Sequence, residues 1–91
     1  MKFEWDVKKN KTNVIKHGLD FETAAEVFKD PNKLLAFNRI KDGELRLQVI
    51  GEIEDVIVVM VVYIHRTTNI RIISARPASL KERSVYYGKN D

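Results

Sequence analysis

Ile70-Arg71-Ile72-Ile73-Ser74-Ala75-Arg76-Pro77-Ala78-Ser79-Leu80-Lys81-Glu82-Arg83 holds two structural elements and the corner between them. The isoleucine-rich half reads as a buried strand from Ile70 to Arg76. Pro77 follows its end. Ser79 and Glu82 then form a Ser-x-x-Glu capping box, which starts a helix from Leu80 to about Tyr87. A strand end beside a helix N-terminus brings backbone N–H groups and guanidinium forks together, a geometry that suits a phosphate. Strict alternation puts Arg71, Ile73 and Ala75 on one face and Ile70, Ile72, Ser74 and Arg76 on the other. Arg71 and Arg76 therefore point apart unless a bulge or the strand's end intervenes.

Upstream, Val56 to Ile64 is continuously apolar and β-branched, as a central strand buried on both faces would be. A turn near Thr67-Thr68-Asn69 joins it to the last strand. Leu45 to Ile50 alternates, with Leu45, Leu47 and Val49 on one face and Arg46, Gln48 and Ile50 on the other. Asp42-Gly43 is a hairpin signal between it and a strand over Leu34 to Ile40. Phe3-Glu4-Trp5 is a short extended opening. Asp6 caps a first helix, Val7 to about Lys16, which Gly18 ends. Leu19 is placed to staple onto Ala24, and Asp20 caps a second helix from Phe21 to about Lys29. Asp30-Pro31 stops that helix. The sum is an α+β domain with two N-terminal helices, a four-stranded mainly antiparallel sheet and a C-terminal helix.

The 91 residues make one domain, 1–91, with a net charge of +3. All the arginines lie at or beyond Arg39, so the second half is the half expected to face an anion. The chain has no cysteine, which excludes a disulfide scaffold, a Cys-based zinc site and a thiol nucleophile. The two separated histidines, with no acid pattern around them, suggest no metal, and no cofactor motif is present. No signal peptide is expected, because Met1 leads directly into charged sequence. Val56 to Ile64 is far too short to span a membrane. A reducing cytoplasm is compatible with these features.

Any chemistry is then expected to rest on arginine and lysine. Arg76 is the first candidate for a phosphate site; the alternative is a salt bridge that fixes the following helix. Arg71 is a second candidate, or else an edge charge. Arg46 shares a polar face with Gln48. Glu44 is a base, a partner for Arg46, or simply a turn acid. His17 suits proton transfer near neutral pH, but a histidine at a helix C-terminus also complements the dipole. His65 is a weaker candidate in a turn. Tyr86 and Tyr87 either both pack on the sheet, or one packs and the other stacks on a base.

The chain resembles the BrnT family of type II toxins. The resemblance rests on Phe3-Glu4-Trp5-Asp6, Asn13 with Lys16-His17-Gly18, Phe21-Glu22 with Ala24-Ala25, and Val27-Phe28 with Asp30-Pro31. Glu44 with Arg46, Ile50-Gly51, and Arg71-Ile72-Ile73-Ser74-Ala75-Arg76 with Ala78, Glu82-Arg83 and Tyr86 complete it. Leu47 and Pro77 depart from the family pattern, at positions where relatives carry an aromatic and a basic residue. The resemblance implies a RelE-like ribonuclease fold, RNA as substrate, and neutralisation by a ribbon-helix-helix antitoxin like BrnA, in a complex expected to bind operator DNA. On that basis the chain is expected to be a cytoplasmic, metal-independent endoribonuclease that inhibits translation and growth. Arg76, Arg46, His17 and Arg71 are the expected catalytic residues, and Lys16, Arg39, Lys41, Arg66 and Tyr86 the expected RNA contacts. The competing expectations are a non-catalytic antitoxin-binding module that co-represses its own operon, and a structural RNA-binding domain.

Overall fold

The computed structural model describes residues 2–54 and 56–90, with the side chains of residues 37 and 38 outside that description. Strand β1 (Lys2–Glu4) leads to helix α1 (Val7–His17) and then to a single α-helical turn, α2 (Phe21–Ala24). A 3₁₀ segment, Ala25–Lys29, continues α2. Strands β2 (Leu34–Lys41), β3 (Glu44–Ile53), β4 (Ile57–Arg66) and β5 (Asn69–Pro77) follow, and helix α3 (Leu80–Lys89) comes last. The strands form one sheet in the order β1-β5-β4-β3-β2. β4 is central, as its unbroken apolar run requires.

Two features correct the expected architecture. The sheet has five strands rather than four, because Lys2–Glu4 pairs in parallel with Asn69–Arg71. Three residues are too few to show alternation. Their pairing is fixed by Glu4, whose carboxylate accepts from Asn69 Nδ2 at 3.1 Å and Arg71 Nη1 at 2.9 Å. The second helix is α-helical for one turn only. Its 3₁₀ continuation has a three-residue period, which lines up Ala24, Val27 and Asp30. Ala24 and Val27 are fully buried, while the Asp30 carboxylate reaches Tyr86 and Glu52.

The local signals behave as the sequence implies. The Asp6 carboxylate accepts from the Lys8 and Lys9 amides, and Gly18 ends α1 at a φ of 67° that only glycine adopts freely. Ser79 and Glu82 form the reciprocal capping box. Asp42 and Gly43 both have positive φ, as a two-residue hairpin turn requires.

The sheet separates two apolar clusters. One lies under α1, α2 and the 3₁₀ segment. It packs Phe21, Ala24 and Val27 on Val49, Val59, Val61, Tyr63, Ile72 and Ala75, with Leu19 beside them. The other lies under α3, where Tyr86 meets Ile50, Val58, Met60 and Val62. α1 docks in an unusual way. Its inward face is polar: Asn13 is 6 % exposed, while Ile15 is 86 % exposed. Asn13 acts as a substitute strand. Its Nδ2 donates to Ala75 O at 2.7 Å and to Leu19 O at 2.8 Å, and its Oδ1 accepts from Ala75 N at 3.2 Å. Asn10 adds a bond from Phe21 N to its Oδ1. Asn13 thus satisfies the Ala75 groups of the β5 edge beyond the reach of β1, and Asn10 the first amide of α2.

Candidate functional site

The decisive local feature is a bulge in β5. Val62 pairs with Ser74 but Tyr63 pairs with Ile72, so Ile73 is an extra residue. The extra residue reverses the alternation beyond it. Ile70, Ile72 and Ala75 all enter the first cluster. Arg71 sits opposite Ile64, and Arg76 opposite Met60. Residues facing each other across strands point to one side, so Arg71 and Arg76 share a face, where strict alternation had separated them.

That face is the one α3 covers, but α3 covers only one end. It packs over Ile50, Val58, Met60 and Val62. The uncovered half carries Arg46 and Gln48 from β3, and Arg39 and Lys41 from β2. Their register is Arg39 opposite Arg46 and Lys41 opposite Glu44. Arg66, at the end of β4, and Arg71 complete a basic surface across four strands.

The pairing state of each cation is unequal. Arg71 is bound to Glu4 at 2.9 Å, and Arg66 to Glu44 at 3.1 Å. The Glu4 carboxyl is held below its ordinary range by hydrogen bonds from Asn69 and Arg71. Glu44 therefore partners Arg66, not Arg46. Arg76 makes a two-pronged ion pair with Glu82, Nη1–Oε1 at 2.8 Å and Nη2–Oε2 at 2.9 Å, and Nη1 also donates to Pro77 O. The Arg76 guanidinium pulls the Glu82 carboxyl down, and Glu82 in turn raises Arg76. That pair fixes the first turn of α3 to the end of β5.

Arg46 differs. Among the described residues it has no carboxylate partner, and its Nε is buried with no hydrogen-bond partner. It lies directly opposite another arginine, Arg39, which is likewise unpaired among the described residues. Like charges facing each other across strands are destabilising. A buried guanidinium N–H without an acceptor costs about 1–3 kcal/mol. An anion on this face, bound between Arg39, Arg46 and Arg71, would relieve the like-charge cost.

The remaining expected residues lie elsewhere. Lys16 and His17 are on α1, beyond the β5 edge, where they line a cleft with Ile73 and Ser74. Tyr86 is corrected from an RNA contact to a core residue. It is 1 % exposed, and its hydroxyl donates to Asp30 Oδ2 at 2.5 Å. Burial raises the Tyr86 hydroxyl above the usual phenol range, and Asp30 adds to that. Burial also pushes the Asp30 carboxyl up. Hydrogen bonds from Tyr86 and from the Glu52 and Asn32 amides outweigh it, leaving Asp30 below its ordinary value. Tyr87, half-exposed, is the ring that solvent reaches. Asn13 was not among the expected site residues, although an asparagine inside a helix is a poor helix former and often signals a specific bond.

No cluster of potential metal ligands occurs among the described residues, and none of their helices is long and apolar enough to cross a membrane.

Residues 5–82 match the family model described as "Ribonuclease toxin, BrnT, of type II toxin-antitoxin system". Among solved structures, the chain is similar to the 1.1 Å crystal structure of the Brucella abortus ribonuclease toxin, BrnT. The identity is 34 %, the TM-score 0.69, and the match covers 87 % of this chain and 97 % of that one. No curated protein matches the chain.

Proposed function

Because this chain belongs to the BrnT family of ribonuclease toxins of type II toxin–antitoxin systems, we propose that it cuts RNA on the uncovered half of its sheet, without a metal. RNA carries its own nucleophile. The 2′-oxygen loses its proton, attacks the adjacent phosphorus, and the P–O5′ bond breaks. The products are a 2′,3′-cyclic phosphate and a 5′-hydroxyl, whose oxygen takes up a proton. The barrier lies in the crowded five-coordinate phosphorus, which carries extra negative charge on its equatorial oxygens. Preorganised cationic donors stabilise that charge without reorganising.

Arg46 is the central donor in this mechanism, and its place opposite Arg39, with no carboxylate partner for either among the described residues, is the observation that carries the proposal. Arg71 assists from β5. Arg39, Lys41 and Arg66 bind neighbouring phosphates, which gives the affinity a salt dependence. The 2′-oxygen gives its proton to solvent and the 5′-oxygen takes one from it, because Lys16 and His17 lie off this face, His17 beside Val59 and Pro77 at the far end of the sheet from Arg46. Arg76, tied to Glu82 by two bonds, is a positioning residue that holds α3 against the face.

An antitoxin of the ribbon-helix-helix type would neutralise the toxin by covering this basic face, and the complex would bind operator DNA. RNA as the target puts the activity in the cytoplasm, where cleavage of messages stops translation.

Induced expression with and without the cognate antitoxin tests this. Wild type is expected to arrest growth, and Arg46→Ala to lose toxicity while still copurifying with the antitoxin. If Arg46→Ala loses antitoxin binding and toxicity together while remaining folded, the face is a protein interface, and the non-catalytic alternative gains.

A further inference from the structure

We propose that the cleft between α1 and the bulged edge of β5 is a second phosphate site, which holds the RNA backbone next to the phosphate cut on the sheet. The proposal rests on the ribonuclease reading above and extends it to Lys8, Lys9, Thr12 and Ser74.

The cleft has a volume of about 300 Å³ and is lined by Lys8, Lys9, Thr12, Lys16, His17 and the bulge residues Ile73 and Ser74, with Asn13 at its base. Helix α1 carries lysines at 8, 9, 11 and 16 and no acid. Lys8 and Lys9 lie in its first turn, where the helix dipole is positive and cations are unfavourable. Among the described residues, no α1 lysine makes an ion pair. The first turn therefore concentrates positive charge where the dipole resists it, with the Asp6 carboxylate at the cap as a partial counter-charge.

The bulge gives that charge a direction. β1 flanks β5 only as far as Arg71, so the edge from Ile72 onward faces α1. Asn13 occupies the Ala75 backbone groups, which leaves Ser74 and the lysines at the mouth of the cleft. Ser74 pairs with Val62 on the basic face. A strand bound across Arg46 and Arg71 can cross the β5 edge at Ser74 into the cleft, passing the Glu4 carboxylate that holds Arg71.

The lining selects a phosphodiester over a protein segment. Three lysines, Thr12 and Ser74 give it its charge and hydroxyls, and Ile73 is its one aliphatic side chain, while carbon makes up the larger part of its wall. A docking helix needs apolar anchors in apolar pockets. The groove that offers them lies at α3, between Leu34, Leu35, Ile50 and Val85.

The test measures binding of a fluorescein-labelled 2′-O-methyl RNA of about 12 nucleotides, which cannot be cut through the 2′-oxygen. Anisotropy titrations across roughly 50–200 mM KCl compare wild type, the cleft variant Lys8→Ala/Lys9→Ala/Lys16→Ala, and a control of equal charge loss, Lys29→Ala/Lys33→Ala/Lys89→Ala. Alanine is the better helix former, so α1 should persist in the cleft variant, which circular dichroism checks. If each cleft lysine meets one phosphate, the salt slope falls by about 2, and affinity near 150 mM falls roughly fifty-fold. A single engaged lysine would give about four-fold. The control should change far less. If the cleft variant behaves like the control while wild type still cuts RNA, the cleft site is wrong and the ribonuclease reading survives. If wild type neither binds nor cuts RNA, both fall together. If the cleft variant keeps RNA binding and loses the antitoxin, the cleft is a protein interface and the proposal is overturned.

Discussion

Replacing Asn13 with alanine would remove three hydrogen bonds and leave their backbone partners, Ala75 N, Ala75 O and Leu19 O, without a side chain to meet. Ala75 is 1 % exposed, so water does not easily take over. A buried backbone group left unsatisfied costs about 1–3 kcal/mol. Taking the lower end for each of the three gives roughly 3 kcal/mol, and better helix propensity returns up to about 0.7 kcal/mol. The expected net loss is about 2–3 kcal/mol, a large share of the roughly 5–15 kcal/mol that holds a small domain together. In urea, at a slope near 1 kcal/mol per molar, the midpoint should fall by about 2–3 M. Asn13→Asp is the sharper variant. It keeps an acceptor for Ala75 N but turns the amide donor into an oxygen facing two carbonyls. Its carboxyl would be raised in the folded state. The penalty is then greatest above that raised value, and is relieved as pH falls through it toward about 4. A loss under about 0.5 kcal/mol for Asn13→Ala, or a penalty for Asn13→Asp that does not shrink on acidification, would refute the idea that Asn13 substitutes for a strand.

The other predictions are narrower. Glu82→Gln should destabilise by about 1 kcal/mol near neutral pH, since the pair with Arg76 is a third exposed and partly screened. The Glu82 carboxyl is depressed in the fold, so its contribution is complete above its unfolded value and is lost as pH falls through the folded one. The variant and wild type should therefore converge in acid denaturation. Gly51→Ala should cost roughly 1–3 kcal/mol by urea denaturation, because the new Cβ would stand 2.7 Å from Val27 Cγ2 and 3.0 Å from Asp30 Oδ2. Arg46→Met should leave thermal stability equal or raised by up to about 1 kcal/mol, since it removes an unsatisfied buried N–H, while growth arrest is lost. A clear fall in its melting temperature would mean that Arg46 serves the fold rather than the site.

The parts of this structure that local chemistry decides were legible from the sequence. Asp6, Ser79 with Glu82, and Asp42-Gly43 act through neighbours two or three residues away, so their caps and turn appear where the sequence put them. The β4 run declared itself by burial alone. Features fixed across the fold did not show. β1 depends on Glu4 reaching residues far along the chain. The bulge at Ile73 shows only in the pairing with β4, and it decides that Arg71 and Arg76 share a face. At the candidate site, sequence reading named basic side chains on β2, β3 and β5 that the fold brings to one face. It could not distinguish Arg46, free of any carboxylate among the described residues, from Arg76, already held by Glu82. It also placed Tyr86 at a surface. The partner that buries the hydroxyl is Asp30, supplied by a distant turn.

The most direct test is cleavage of a defined, end-labelled RNA by purified protein in EDTA, beside folded Arg46→Ala. The account predicts that wild type cuts and leaves a 2′,3′-cyclic phosphate, and that Arg46→Ala is slower by roughly 10²–10³, as expected for loss of one preorganised donor to developing charge. Cleavage that stops in EDTA, or that proceeds undiminished in Arg46→Ala, would contradict it.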